Sequence, residues 1–164
     1  PVDGVADLRV GHGEQVSVAA GDVWATTTGD QLDVSADVRL PAGARVELAV
    51  RATDDLGEAT LVRLEREQDS TTRVTLDRSR SRVDSPADDY DLSELGGTLP
   101  TPSDDIVTLR VLVDHSMLEV FADGVPLTAR VYPSRADAVG VRVRVEGQAS
   151  ANLTIWQMQR TGRR

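Results

Sequence analysis

Three groups of residues in this chain are of types that do chemistry. Asp114-His115-Ser116 sets a carboxylate, an imidazole and a hydroxyl in direct succession, the groups that hydrolases align as orienter, base and nucleophile. Neighbours in a turn point apart and cannot form that line, so the triplet reads as a hairpin loop. Asp84, Asp88, Asp89 and Asp91, in DSPADDYD, offer oxygens of the kind calcium gathers in sets of about 6 to 8. Their spacing is not that of an EF-hand loop, and turn-forming aspartates account for it equally, which leaves a structural calcium as a secondary expectation and no other cofactor. The third group is Arg110, Glu119 and Arg130. A carboxylate beside a guanidinium presents acceptors and donors together, an arrangement suited to vicinal hydroxyls.

The elements that must position this third group lie between residues 107 and 133. Val107, Leu109, Val111 and Val113 alternate with Thr108, Arg110, Leu112 and Asp114, the period of two that sends alternate side chains to opposite faces of a strand. Asp114, His115 and Ser116 supply polar turn chemistry, and Asp123-Gly124 is the dipeptide favoured where a two-residue hairpin needs positive φ. With a four-residue loop from Asp114 to Met117 and a two-residue loop at Asp123-Gly124, Val113 faces Leu118, Val111 faces Val120, Val120 faces Leu127 and Leu118 faces Ala129. One face of this meander is then wholly aliphatic. The other carries Leu112, Glu119 and Thr128 in one row, Arg110, Phe121 and Pro126 in the next, and Met117 beside Arg130, with Glu119 in diagonal reach of Arg130. A slip of one residue exchanges the faces, so the pattern specifies its own register.

The run LRVLVDHSMLEVFADGVPLTARVYP resembles the signature of the C-terminal β-sandwich domain of family 32 glycoside hydrolases, the invertases, inulinases and levanases. That signature has an Asp-Arg-Ser turn, a Glu-Val-Phe strand and a Thr-Ser-Arg-Ile-Tyr-Pro strand. This chain has His115 in place of the arginine and Ala129-Arg130-Val131 in place of Ser-Arg-Ile. Leu76-Asp77-Arg78-Ser79-Arg80-Ser81 is similar to an upstream Asp-Arg-Ser-x-Ser element, and Leu153-Thr154-Ile155-Trp156-Gln157-Met158 to the closing strand. The resemblance implies that Asp77, Arg78, Arg110, Asp114, Glu119 and Arg130 surround a hydrogen-bonding pocket for the terminal fructose of levan, inulin or a sucrose-type fructoside. It equally allows a domain that only docks on and stabilises a catalytic propeller or mediates dimerisation, with Leu112, Met117 and Phe121 as the docking patch.

The same resemblance places catalysis elsewhere. The family's Asn-Asp-Pro-Asn, Arg-Asp-Pro and Glu-Cys strings lie in an N-terminal propeller, and none of them occurs here. A retaining glycosidase needs two carboxyl groups about 5 to 5.5 Å apart, and nothing in the sequence pairs two in a pocket. The expectation is a noncatalytic fragment whose partners are a fructan or fructoside and the parent's propeller.

Elsewhere the pattern is uniformly β. A first strand is expected around Val5 to Val10, a short one around Gln15 to Ala19, and a turn-rich stretch at Trp24. Leu32 to Leu40 and Val46 to Ala52 alternate on either side of Pro41-Ala42-Gly43 and read as an antiparallel hairpin. Val62 and Leu64, Val74 and Leu76, then Val139 to Val145, and Leu153 with Ile155 continue the series. Residues 78–103 lose periodicity and read as one long loop. With roughly ten or more short strands and no sustained helical spacing, the fold expected is all-β, a single two-sheet antiparallel sandwich of jelly-roll or concanavalin-like type over residues 1–164.

Composition narrows the partners. The chain has 164 residues with 27 acidic against 18 basic, a formal charge of -9, which opposes phosphate backbones and anionic membranes; neither nucleic acid nor membrane is expected. Cysteine is absent, removing disulfides and thiolate metal sites. All 18 basic residues are arginine, a bias that suggests a GC-rich bacterial source, and the resemblance suggests a secreted or cell-surface parent. The opening PVDGVADLRV lacks the basic start and apolar core of a secretory signal, so an exported parent would carry its signal upstream. Two Trp, two Tyr and one Phe are too few for a flat stacking platform, particularly with Trp24 and Trp156 as core candidates. Asn152-Leu153-Thr154 fits the glycosylation pattern and reads as coincidence within a strand.

Overall fold

The structure, a computed structural model, describes residues 4–84, 92, 94–100 and 104–159. A single 3₁₀ turn, Val5–Leu8, opens it. Twelve strands follow: β1 Arg9–Val18, β2 Gly21–Trp24, β3 Gln31–Arg39, β4 Arg45–Ala52, β5 Thr60–Arg66, β6 Thr72–Asp77, β7 Leu95–Leu99, β8 Ile106–Asp114, β9 Met117–Ala122, β10 Val125–Arg130, β11 Gly140–Glu146 and β12 Ser150–Met158. They form two six-stranded antiparallel sheets, a front sheet ordered β1-β12-β3-β8-β9-β10 and a back sheet ordered β2-β11-β4-β5-β6-β7. The all-β sandwich is as the alternation requires.

One aliphatic core fills the space between the sheets. Val34, Val38, Val107, Val111, Leu118 and Val120 enter it from the front, and Leu48, Val50, Val62, Leu64, Val74 and Leu76 from the back. Each belongs to the apolar set of an alternating strand, so burying one set fixes the register of the whole strand. The meander has the expected pairing: Val113 with Leu118, Val111 with Val120, Val120 with Leu127 and Leu118 with Ala129. Its first loop is shorter than expected, since Asp114 pairs with Met117 and only His115 and Ser116 turn. His115 (φ 55), Asp123 (φ 46) and Gly124 (φ 79) adopt the left-handed conformations that such tight turns demand.

Four expectations are corrected. The Val5 to Val10 strand is the 3₁₀ turn followed by the ten-residue β1, which also absorbs the short strand near Gln15. Trp24 ends a strand, β2, where turns were expected. β3 and β4 are not a hairpin: β3 pairs with β12 and β8, whereas β4 pairs with β11 and β5. The Pro41-Ala42-Gly43 segment arches from one sheet to the other, held by Leu40 N–H to Asp105 C=O at 2.7 Å and Gly43 N–H to Arg66 C=O at 2.7 Å. Alternation is the same for strands that pair and for strands that face each other across a core. Finally, the long loop contains β7, an edge strand on β6, concealed because Gly96 and Gly97 interrupt its apolar pattern.

The tryptophans lie outside this core. Trp24 packs on the outer face of the back sheet with Ala49, Ala52, Ala59 and Leu61. Trp156 lies on the outer face of the front sheet, where the Arg9 guanidinium carbon sits 3.7 Å from its ring centre.

Candidate functional site: a cavity on the outer front face

The six residues singled out above divide into two sets. Three are occupied within the fold. Arg110 forks onto Asp33 of β3, with Nε 3.0 Å from Oδ1 and Nη2 2.8 Å from Oδ2, and Arg9 adds Nε at 2.7 Å from Oδ2. These groups and the neighbouring Trp156 leave Asp33 fully buried although it stands on the outer face. Desolvation acts to raise the Asp33 carboxyl, but hydrogen bonds and charge from Arg110 and Arg9 outweigh it and hold the group below the ordinary aspartate range. Asp77, at the end of β6 in the back sheet, accepts from Ser79 N–H at 2.9 Å and pairs with Arg63 at 2.8 Å. Arg78 is buried, and its Nη1 lies 3.5 Å from the carbonyl of Arg130; the Asp-Arg-Ser turn thus supports the end of β10 from beneath.

The other three remain near the surface. Arg130 is exposed, with Nη1 3.5 Å from the Tyr132 hydroxyl, and makes no ion pair with Glu119. Asp114 is exposed at the rim of the meander, where His115 Nδ1 lies 2.9 Å from its Oδ1 and Gln31 Nε2 donates to the same oxygen at 2.9 Å. The hydrogen bond from His115 is the main reason the Asp114 carboxyl is held low. Glu119 is half-buried in the centre of β9.

Asp114 and Glu119 open onto a cavity of about 290 Å³ between the outer front face and the 3₁₀ turn. Leu112 and Met117 from the meander, Val5 and Leu8 from the 3₁₀ turn and Met158 from β12 give it apolar walls, and Gln31 and Gln159 complete its polar rim. The Arg9–Asp33–Arg110 bridge explains why the cavity exists, because it ties the start of β1, and with it the 3₁₀ turn, over the sheet. Sequence reasoning located Asp114, Glu119, Leu112 and Met117, but missed Gln31, Met158 and the 3₁₀ turn, which join them only through the non-local ladder β1-β12-β3-β8.

The triplet Asp114-His115-Ser116 is a hairpin turn with no hydroxyl on the imidazole; His115 lies between Asp114 and Asp30, its Nε2 3.8 Å from Asp30. Of the calcium candidates, Asp88, Asp89 and Asp91 lie outside the described residues, and Asp84 pairs with Arg82 at 2.7 Å. Among the described residues no three metal-ligating side chains gather. No helix among them is long and apolar enough to cross a membrane. Asn152 is exposed mid-strand and accepts from the Ser17 hydroxyl at 2.8 Å.

Comparison with known proteins gives this architecture its context. The family described as "Glycosyl hydrolases family 32 C terminal" matches residues 6–157. A 6(G)-fructosyltransferase of Asparagus officinalis is 31% identical over 175 aligned positions, covering 94% of this chain and 28% of that protein. An acid beta-fructofuranosidase of Vicia faba is 38% identical over 94 residues, covering 53% of this chain and 14% of that protein. Among solved structures, the exo-inulinase of Aspergillus awamori superposes with a TM-score of 0.80 at 26% identity, over 97% of this chain and 32% of that one. Fructan 1-exohydrolase IIa of Cichorium intybus, at 22% identity and a TM-score of 0.74 over 97% of this chain and 37% of that one, shares the fold. The chain thus spans between 14% and 37% of the length of these relatives. It belongs to glycoside hydrolase family 32, as the C-terminal β-sandwich domain of that family.

Proposed function

We propose that this domain is the noncatalytic accessory part of a fructoside-processing enzyme and that its outer-face cavity holds the terminal fructosyl unit of a fructan or fructoside. The observation that carries this reading is the composition of the cavity: two carboxylates and two amides rim walls of Leu112, Met117, Leu8, Val5 and Met158. Sugar hydroxyls need acceptors and donors, and the C–H face of the ring needs an apolar surface; the cavity offers both. Its volume, about 290 Å³, sits at the small end of ligand pockets, which begin at about 300 Å³, and suits one chain end rather than a polymer segment. The lining has no aromatic ring, so hydrogen bonds dominate and affinity is modest.

Calorimetric titration of the chain with levan, inulin and sucrose tests this. Heat of binding is expected with at least one of them, weakened about 10-fold or more by Glu119→Ala, the loss of a charged hydrogen bond being worth about 1.5 to 3 kcal/mol. Arg130 is not in the cavity lining, and Arg130→Ala is expected to leave the heat of binding unchanged. Silence with every ligand removes the reading.

One observation favours a second reading. Leu112, Met117 and Phe121 are half-buried on the same face, while Arg110 and Asp33 on that face already neutralise each other, which suits a face that docks on the catalytic part of the parent. If sugars give no heat and the added domain raises the melting temperature of a separately produced catalytic part, docking is the function.

A further inference from the structure

A second concave site lies on the opposite side of the β1-β12 ladder. Val10 pairs with Gln157 but Glu14 with Ile155, so three residues of β1 stand against Trp156 alone. Gly13 makes this bulge possible: its φ is 76°, and a Cβ there would lie 2.6 Å from the Trp156 indole nitrogen. The chain leaving β2 fills the space beside the bulge. Thr26 and Thr27 donate their backbone N–H groups to the Glu14 carboxylate at 2.8 and 2.5 Å, and Gln157 Nε2 donates to the Thr28 carbonyl at 3.0 Å. Burial acts to raise the Glu14 carboxyl, but the amide and hydroxyl groups of Thr26 and Thr27 outweigh it and keep the group low and ionised. These contacts join the walls of an open groove of about 350 Å³.

The lining selects its ligand. Thr28 brings a hydroxyl that both donates and accepts, Thr26 and Thr27 bring hydroxyls that still accept while they donate to Glu14, and Gln157 keeps its second amide hydrogen and its carbonyl oxygen. Val10, 48% exposed, adds an apolar surface. No basic side chain lines the groove, which disfavours phosphates and other anions, and its single carboxylate disfavours a divalent cation, which takes several oxygen ligands. We propose that the groove formed by Val10, Glu14, Thr26, Thr27, Thr28 and Gln157 is a second, independent carbohydrate site that takes one neutral sugar ring, its hydroxyls on the threonines and Gln157 and its C–H face on Val10, with Glu14 holding the threonine loop in place. It does not depend on the outer-face cavity, from which the front sheet separates it.

Titration of the ¹⁵N-labelled chain with sucrose, followed by amide resonances, tests the proposal. The expected result is a saturable shift of Val10, Glu14, Thr26, Thr27 and Thr28 and of the Gln157 side-chain amide, with phosphate and magnesium producing none. Thr28→Val and Gln157→Ala, both at exposed positions, should each weaken this shift about fivefold, the equivalent of one hydrogen bond. Glu119→Ala should leave it unchanged while altering any shift at Asp114. Linear, non-saturating shifts, shifts confined to the cavity, or unaltered titration of both groove variants would each overturn it.

Discussion

The residues with the greatest structural consequence are carboxylates that pattern reading did not single out. Glu58, in the β4-β5 turn, is fully buried. It accepts Val83 N–H at 3.0 Å, Ser134 N–H at 3.1 Å, Arg135 N–H at 2.9 Å and the Ser134 hydroxyl. One side chain thus fastens the loop after β6 and the loop after β10 to the same point. Desolvation acts to raise its carboxyl, and the donors of Ser134, Arg135 and Val83 outweigh it and lower it. Glu58→Ala takes the partner from these part-buried donors at once, a loss of about 2 to 3 kcal/mol, measurable by urea unfolding; an effect below ~1 kcal/mol would show that water replaces the carboxylate. The sign of the pH effect follows from the direction of the shift. Folded Glu58 and Asp33 both titrate below their unfolded counterparts, so their contribution is complete above the unfolded value of about 4 and disappears as pH falls through the folded one. The melting temperature should therefore drop below pH ~4, and Glu58→Gln, which cannot titrate, should flatten that acid limb.

Elements were legible in the sequence where turn chemistry and alternation agreed. The β8-β9-β10 register could be written out residue by residue because Asp123-Gly124 and the His115 turn fix the loops and a slip would expose Val111 and Val120. The partners of β3 and β4 were not legible, since both bury one alternate set whether they pair or face each other. β7 was hidden by Gly96 and Gly97, and the cavity by its dependence on β1 and β12, strands far apart in sequence. Glycine also masks the β1 bulge, and two substitutions separate its causes. Gly11 and Gly13 both have positive φ, but a Cβ on Gly11 meets nothing within 4 Å, whereas one on Gly13 strikes Trp156 and Thr154. Gly11→Ala should cost about 1 kcal/mol, the backbone component alone, and Gly13→Ala about 2 kcal/mol or more, with displacement of the Trp156 ring. Equal costs by chemical denaturation would show that the indole yields freely.

At the scale of the whole molecule, the two sheets have different outer faces but one interior. Arg9, Asp33, Arg110 and Trp156 build the front exterior, and Trp24 rests on the Ala49, Ala52, Ala59 and Leu61 patch at the back. Between them, valines and leucines of both sheets form one continuous cluster, so neither sheet keeps a buried face once the other departs. The two tryptophans therefore make a built-in test, one on each sheet. In Trp24→Phe the remaining indole reports the front sheet, and in Trp156→Phe the back. Corrected for the different stabilities of the two variants, fluorescence from each should change over the same denaturant range as far-ultraviolet circular dichroism, the coincidence that marks an all-or-none transition. If the front indole instead changes first in its variant, ahead of the circular dichroism, the 3₁₀ turn and β1 open as a separate unit. The cavity they wall would then come and go without unfolding of the sandwich.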